Sequence, residues 1–242
     1  MRLPLLFLLF ISFSCKKSSH NSEPEAEPNK TTCTLNSLPN NLQNGVVTYY
    51  SFCGNTNDVS SNNNNGNLTN GSFTTDRFGN SNSALLLNGN NSLVCSTNLY
   101  NNPQTLTISV WIKTNNSSYS RIIVFDESQC SHINNWDRSL FMQNGQAGFY
   151  VFPGSEKTVI GGPNIADNKW HCIAATLSSA GMKLYVDGSL AASNAGITSA
   201  QNFNGYWRVG GFQNTSLVGA YDDVLIYNRA LSDSEIQQLY QQ

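Results

Sequence analysis

The chain has few charged residues for its size. Charged side chains make up 12% of its 242 residues, whereas roughly 25% is usual in soluble proteins. The formal net charge is −2, and no block of basic residues interrupts the sequence. Proteins that hold nucleic acid or anionic lipid by electrostatics need clustered lysine and arginine. The composition therefore argues against a nucleic-acid partner and against attachment to a membrane surface by charge.

Long apolar runs are also scarce, and the clearest one begins the chain. Arg2 is followed by the mostly apolar stretch Leu3–Phe13, which is too short to span a bilayer as a mature helix. Residues 1–14 are therefore typical of a secretory signal peptide. A small residue, Ser14, then directly precedes Cys15. This arrangement resembles the bacterial lipoprotein signal, in which the cysteine is lipidated and becomes the new N-terminus.

Lipidation of Cys15 would anchor the protein to a lipid membrane of the bacterial cell envelope, at the outer membrane or the cell surface. Ordinary secretion is the alternative. Residues 15–43 contain Glu-Pro pairs among Ser, Asn and Thr, a composition that buries too little apolar area to order a chain. We therefore expect a lipid-anchored flexible tether over 15–43, followed by a globular domain over 44–242.

Cysteines are few, but an exported chain meets an oxidising environment in which they can pair. Five follow Cys15, and they are Cys33, Cys53, Cys95, Cys130 and Cys172. Up to two disulfides are therefore expected, with at least one thiol left unpaired, and the spacing does not assign the pairs. No two of these cysteines have the C-x₂₋₄-C spacing of a structural zinc site.

The globular part carries strand and turn signals almost throughout. In Leu106–Lys113 every second residue is a branched apolar one, which is the period of a β-strand. Asn144-Gly145 and Asp187-Gly188 separate β-rich segments and predict two-residue hairpins. About a dozen short strands with no helical crossover between them predict an all-β fold, an antiparallel β-sandwich.

A short helix is expected only at the end of the chain. Ser232 lies three residues before Glu235, which is the spacing of a capping box at a helix start. Ile236, Leu239 and Tyr240 then recur at helical spacing.

Several segments together resemble one known family. They occur in the order Thr48–Phe52, Thr75–Ala84, Leu106–Lys113, Asn168–His171, Lys183–Gly188 and Tyr221–Tyr240. In that order they resemble the LamG-like jelly-roll domains of the concanavalin A-like lectin/glucanase superfamily, across the whole globular part. The resemblance implies a concanavalin A-like jelly roll, and it makes a binding module the leading interpretation.

The sequence lacks the motifs of the expected enzymes. Glycosidases on related jelly rolls resemble one another in an E-x-D-x-x-E strand, which is absent here. No two acids alternate on one predicted strand, as a retaining pair about 5 Å apart would require. No G-x-S-x-G elbow occurs, and His171 within a strand is interpreted as structural. We therefore predict that the protein is not an enzyme, with a glycosidase that uses an unfamiliar acid such as Glu127 as the weaker alternative.

A calcium site is the sharpest metal hypothesis. The loop that contains Asp58 is rich in the carboxylate, amide and hydroxyl oxygens that Ca²⁺ prefers. Its resemblance to the family's loop implies that Asp58 ligates calcium together with Asp222 or Asp223, as a structural cofactor. Because neighbouring strand residues face opposite ways, we expect only one of the two aspartates, and preferably Asp222, to point toward this loop. The alternative is turn chemistry without metal.

Two aromatic positions are candidates for ligand binding. Trp136, beside Asn135, lies in a polar segment that we interpret as a loop, where an exposed indole could stack on a sugar ring. Tyr206 and Trp207 form a second candidate, with strand packing as the alternative for Trp207. The favoured partner is a glycan, bound without catalysis, and the rival partner is another surface protein that an adhesive or structural module would hold.

Overall fold

The computed structural model describes residues 33–89, 91–131, 135–212 and 215–242. The signal segment 1–14 and Cys15 lie outside the described residues. The strands are β1 Val46–Tyr50, β2 Gly66–Thr69, β3 Gly71–Thr74, β4 Ala84–Leu87, β5 Leu93–Ser96, β6 Leu106–Lys113, β7 Ser120–Asp126, β8 Trp136–Gln143, β9 Gln146–Val151, β10 Lys157–Gly161, β11 Trp170–Ser178, β12 Gly181–Val186, β13 Ser189–Asn194, β14 Tyr206–Val209 and β15 Gly219–Tyr227. The helical elements are a 3₁₀ turn Leu35–Ser37, α1 Asn40–Gln43 and α2 Asp233–Tyr240.

The strands form two antiparallel sheets. The first sheet has the order β13-β12-β11-β6-β15-β4-β3, with β1 also paired to β15. The second sheet has the order β10-β9-β8-β7-β14-β5-β2. Strands that are distant in sequence lie side by side in both sheets, as in a jelly roll. The predicted β-sandwich is therefore confirmed.

The main hydrophobic core fills the space between the sheets. In β6 of the first sheet, Ile108, Val110 and Ile112 are completely buried, and in β9 of the second sheet so are Phe149 and Val151. Each such side chain stabilises the fold by about 1.5–3 kcal/mol relative to an exposed one. The period-two pattern of Leu106–Lys113 thus arises from one face of β6 packing on the opposite sheet.

The hairpin predictions are confirmed, and three strands were not predicted. Asn144 and Gly145 have φ of 51° and 77°, the left-handed pair that a type I′ turn requires. Asp187 and Gly188 join β12 to β13 in the same way. The unpredicted strands β2, β3 and β10 contain Gly, Asn, Ser and Lys, which have low β propensity. They pair at sheet edges, where main-chain hydrogen bonds alone can hold a strand.

Helix α2 covers the outer face of the first sheet. Its capping box is complete, because the Ser232 hydroxyl accepts from the Glu235 N–H and the Glu235 carboxylate accepts from the Ser232 N–H. Ile236 and Leu239 are buried against Leu225 and Tyr185 of the sheet. The predicted terminal helix is confirmed, and the outer surface of this sheet is closed to large ligands where the helix lies.

The predicted tether is too long. Residues 33–43 belong to the folded unit, since Leu42 is fully buried against the first sheet and Cys33 forms a disulfide with Cys53. Composition underestimated the order of this segment, because its few leucines pack on one side against the first sheet. The Cys33–Cys53 disulfide adds a covalent constraint. Among the described residues, no helix is long and apolar enough to cross a membrane.

Two disulfides and one free thiol match the expectation from the cysteine count. Cys33 pairs with Cys53, and Cys95 pairs with Cys130. Cys172 is unpaired and buried, and burial raises the pKa of its thiol to about 12. Such a thiol stays protonated and unreactive near neutral pH.

Candidate binding face

The outer face of the second sheet carries aromatic side chains that do not belong to the core. Along β8, Leu140 and Met142 point into the sandwich, so the intervening Phe141 points outward. Along β9, Phe149 and Val151 point inward, so Tyr150 points outward. Neither Phe141 nor Tyr150 contributes to either hydrophobic core.

These rings form one cluster with residues from β7 and the turn before it. We call Tyr119, Arg121, Trp136, Phe141 and Tyr150 the outer-face cluster. The ring centroids of Trp136 and Tyr150 are 4.6 Å apart, and those of Tyr119 and Phe141 are 5.6 Å apart. Tyr119 is 50% exposed, which makes it the most accessible ring of the cluster. Ligand-binding surfaces often combine such rings with a few polar groups.

Glycine at position 148 makes the cluster possible. Gly148 pairs with Phe141 across β8 and β9. A Cβ atom at this position would lie 2.2 Å from Cζ of the Phe141 ring. The ring therefore lies flat on the β9 backbone, and Tyr119 packs above it. A Cβ atom at 148 would therefore displace the Phe141 ring from this position.

The prediction that Trp136 lies in a loop was wrong, because Trp136 is the first residue of β8. Its ring is partly buried. The Arg121 guanidinium carbon is 3.8 Å from the centre of the ring, and Tyr150 stacks on it at 4.6 Å. Two groups this close to one ring cannot share the same side of it, so Arg121 and Tyr150 take opposite faces. The indole therefore positions its neighbours and offers only its edge to a ligand.

Electrostatics also connect the cluster to acidic groups nearby. Burial raises the pKa of Tyr150 to about 12, and the negative charges of Glu156 and Asp137 add to this shift, while Arg121 opposes it. The Tyr150 hydroxyl is therefore a neutral hydrogen-bond donor at physiological pH.

The other half of this outer face is closed. Arg208 of β14 donates to the buried Asp126 carboxylate at 2.8 Å and to the Ser131 carbonyl at 3.4 Å. The Cys95–Cys130 disulfide ties the segment after β7 to β5. The described part of this segment, up to Ser131, lies over β14 and β5, whereas the outer-face cluster lies on β7, β8 and β9.

The remaining aromatic candidates divide between surface and core. Tyr206, Asp126 and Trp136 are paired neighbours in one row across β14, β7 and β8, so Tyr206 shares the face of Trp136. Asn135 donates from Nδ2 to the Glu127 carboxylate at 2.7 Å, at the end of the same row. Trp207 is only 1% exposed and lies in the core. Its candidacy as a ligand contact was wrong, because alternation turns it inward when Tyr206 faces outward.

Comparison with known proteins agrees with this architecture. A family model described as the concanavalin A-like lectin/glucanases superfamily (Laminin_G_3) matches residues 87–237. The chain belongs to this superfamily. A comparison of this chain with curated proteins found no match.

Several solved structures share the fold of this superfamily member. The binding domain of Paraclostridial Mosquitocidal Protein 1 superposes with a TM-score of 0.65 at 21% identity, over 82% of this chain and 52% of that one. The binding domain of botulinum neurotoxin DC in complex with SialylT gives 0.62 at 18% identity, over 82% and 52%. Domain 4 of AbnA, a GH43 extracellular arabinanase from Geobacillus stearothermophilus in complex with arabinotriose, gives 0.61 at 18% identity, over 81% and 98%. The chain thus spans about half the length of the toxin domains and nearly all of the arabinanase domain, and the likeness is one of fold.

The aspartates of the expected calcium site are held by different groups that meet at Tyr49, whose backbone N–H donates to Asp58 and whose hydroxyl donates to Asp223. Asp58 accepts hydrogen bonds from the backbone N–H groups of Tyr49, Ser60 and Asn64, at 2.9 Å each. The Ser60 hydroxyl also donates to it, so the carboxylate organises its own loop. Among the described residues, no group of three or more His, Cys, Asp or Glu side chains forms a cluster suited to a metal ion.

Asp222 and Asp223 both face one arginine. Nη1 of Arg77 lies 2.7 Å from Asp222 Oδ2 and 2.6 Å from Asp223 Oδ2. The expectation that the two aspartates point opposite ways was wrong, because β15 has a bulge here and Asp223 has φ of 43°. The guanidinium already supplies the positive charge, and these residues as they stand do not fit a calcium ion. Calcium binding stays a prediction.

Glu127, Asp137 and His171 are each held by hydrogen-bond partners. Glu127 accepts from Asn135, and the Asp137 carboxylate accepts from three backbone N–H groups beside Arg138. The two ring nitrogens of His171 lie 2.8 Å from Asp187 and 3.0 Å from Asp167. A histidine held at both nitrogens suits the structural role expected of it.

A concavity lies at the rim of the first sheet and was not predicted. It has a volume of about 300 Å³, and the residues around it include Thr74, Lys113, Asn115, Asn168 and Val218. No sequence motif marks it, since its residues come from separate loops and strand ends.

Proposed function

We propose that this protein is a cell-envelope lipoprotein whose β-sandwich is a non-catalytic glycan-binding module. The observation that carries the proposal is the outer-face cluster, which combines an exposed ring, a neutral phenol and a guanidinium on the outer face of β7, β8 and β9. Sugar rings have apolar C–H faces that stack on exposed aromatic rings, and their hydroxyls pair with polar groups beside them.

Two structural neighbours support a glycan ligand. The arabinanase domain was solved with arabinotriose, and the DC toxin domain was solved with SialylT. We infer that this chain uses the same fold for the same class of ligand. Tyr119 supplies the free stacking surface, and Trp136 holds Arg121 and Tyr150 in position beside it.

We expect Tyr119→Ala and Trp136→Ala each to weaken glycan binding by about tenfold or more. Loss of a stacked ring costs about 1–3 kcal/mol by analogy with base–aromatic stacking, and 1.4 kcal/mol is tenfold in affinity. Tyr119→Ala removes the stacking surface, whereas Trp136→Ala releases its two neighbours. A glycan array identifies the ligand, and titration calorimetry then measures the affinity of each variant.

Tyr240→Ala is the matched control for these variants. Tyr240 is 37% exposed and packs on Trp111 beneath α2, on the opposite side of the sandwich. The Tyr240→Ala substitution should therefore leave the affinity for glycan unchanged. Equal losses in Tyr119→Ala and Tyr240→Ala would show a general effect on folding, and loss only in a variant of Lys113 would assign binding to the rim concavity instead.

The same experiment separates the glycan proposal from its rivals. A partner protein would also use an exposed ring, and Ile160 of β10, 40% exposed, extends the apolar surface. Binding to a surface protein but to no glycan would favour an adhesive role. Steady release of reducing ends from a polysaccharide, abolished by Glu127→Gln, would establish a glycosidase.

The lipid anchor has its own test. We expect Cys15→Ala to move the protein from the detergent phase into the aqueous phase after phase partitioning of cells, because the acyl chains are attached at this sulfur. Cys172→Ala serves as the control, since Cys172 is buried in the domain. Unchanged partitioning of Cys15→Ala would leave ordinary secretion or a different anchor.

A further inference from the structure

One arginine of the domain differs from all the others that the structure describes. Arg77, Arg138, Arg208 and Arg229 each pair with an aspartate or glutamate. The guanidinium of Arg121 makes no ion pair and no hydrogen bond with any described residue; its only partner is the Trp136 ring, 3.8 Å away. Charged side chains are rarely buried without an acidic partner, and the Nε atom of Arg121 is buried.

The atoms of Arg121 show which part is free for a ligand. Its Nε atom is buried without a hydrogen-bond partner, while the two terminal nitrogens are not among the buried atoms. The ring of Trp136 therefore covers the stem and one face of the guanidinium, and its outer edge stays accessible. That edge has parallel N–H donors spaced to match both oxygens of a carboxylate.

We propose that the outer-face cluster selects glycans that carry a carboxylate, such as a uronic or sialic acid residue, and that Arg121 binds this carboxylate. The inference rests on the proposed glycan-binding function and names its ligand class. Tyr119 stacks on the sugar ring, and the edge of the Arg121 guanidinium donates hydrogen bonds to the carboxylate beside it.

The charges around Arg121 set the strength of this selection. Arg208 lies close enough to interact with Arg121 but is committed to Asp126. Glu156 is exposed and acts on the same Tyr150 hydroxyl as Arg121 does. Its negative charge should repel an acidic ligand, so removal of this charge should strengthen binding.

The test compares acidic glycans with their uncharged counterparts. An array of acidic oligosaccharides, each beside its methyl ester, is probed with the purified full-length protein. We expect tenfold or greater preference for the free acid, because hydrogen bonds to charged groups contribute more than neutral ones. Arg121→Gln should remove this preference, Arg121→Lys should keep part of it, and Glu156→Gln should increase affinity for the acid alone. Higher salt should weaken only the acidic ligands.

The outcomes separate this inference from the function on which it rests. Tyr119-dependent binding of esters and free acids with equal affinity would keep the glycan-binding function and overturn the role of Arg121. If Arg121→Gln weakened the binding of esters and free acids equally, the proposed role of Arg121 would also be overturned. That result would mean that Arg121 only holds the Trp136 ring in position. Absence of any glycan binding would overturn both proposals.

Discussion

Replacing Arg77 with alanine should lower the free energy of unfolding by about 3–5 kcal/mol, which is typical when one partner of a buried ion pair is removed. The Arg77 side chain is only 7% exposed and pairs with Asp222 and Asp223 at the bulge of β15. Burial lowers the pKa of the guanidinium, but the two carboxylates more than offset this, so that its pKa is raised overall. Its charge therefore holds the two acids in place at any physiological pH.

Packing adds to the effect of Arg77. Its guanidinium carbon lies 4.3 Å from the centre of the Phe78 ring and 4.7 Å from that of Trp111. Arg77→Lys keeps the charge but not the planar stacking, so it should lose less stability than Arg77→Ala. Lys183→Ala is the control, because its ion pair with Asp233 lies on the surface and should contribute less than about 1 kcal/mol. Denaturant unfolding measures all three, and a loss no larger than that of Lys183→Ala would contradict the expectation.

A chelator and the Asp58→Ala variant test the calcium prediction. Arg77 places one positive charge between Asp222 and Asp223, so if these residues bind no calcium, a chelator should leave the melting temperature of the wild type unchanged. A ligand that binds only the native state would raise stability by about 2.7 kcal/mol at a hundredfold excess over its Kd. A calcium-dependent rise in melting temperature that disappears in Asp58→Ala would establish the site predicted from the sequence.

Replacing Arg138 with methionine should lower the free energy of unfolding by as much as Arg77→Ala does. Arg138 is completely buried and donates to the carbonyls of Pro103 and Gln201 and to Asn102 Oδ1, so it connects three segments. Its other partner is Asp137, whose carboxylate lies 3.6 Å away. Removal of the cation leaves this carboxylate buried, and a loss of about 3–5 kcal/mol follows.

The loss in Arg138→Met should depend on pH. Burial raises the pKa of Asp137 above its ordinary value of 3.8, and Arg138 opposes that rise. Without Arg138 the folded-state pKa rises further. The folded state then binds the proton more tightly than the unfolded chain, so stability falls as pH rises through the folded pKa. The difference from the wild type should therefore be largest at neutral pH and smallest near the ordinary pKa of aspartate.

Denaturant unfolding curves measured at neutral pH and near the ordinary pKa of aspartate check this pH dependence. Asp137→Asn combined with Arg138→Met should recover part of the loss at neutral pH, since the buried charge is gone. A loss that is independent of pH and unaffected by Asp137→Asn would show that Arg138 stabilises the fold by packing alone.

The sequence by itself determined the hairpins and the terminal helix, because each depends on contacts near in sequence. It determined the fold class through the pattern of its strands and the resemblance to a known family. Asn144-Gly145 requires left-handed backbone whatever surrounds it. Ser232 and Glu235 satisfy each other within one helical turn. The alternation in Leu106–Lys113 predicts that one face of the strand is buried, but it does not predict which sheet this face packs on.

The tertiary structure decided which residues meet. Arg121, Trp136 and Tyr150 lie on three adjacent strands, and only strand register places the guanidinium and the phenol on opposite faces of the indole. Alternation along β14 likewise separates Tyr206 from Trp207, which lies in the core, as the packing alternative for Trp207 expected. A sequence gives the kind of each side chain, but the meeting of side chains across strands depends on register and bulges, which long-range packing sets.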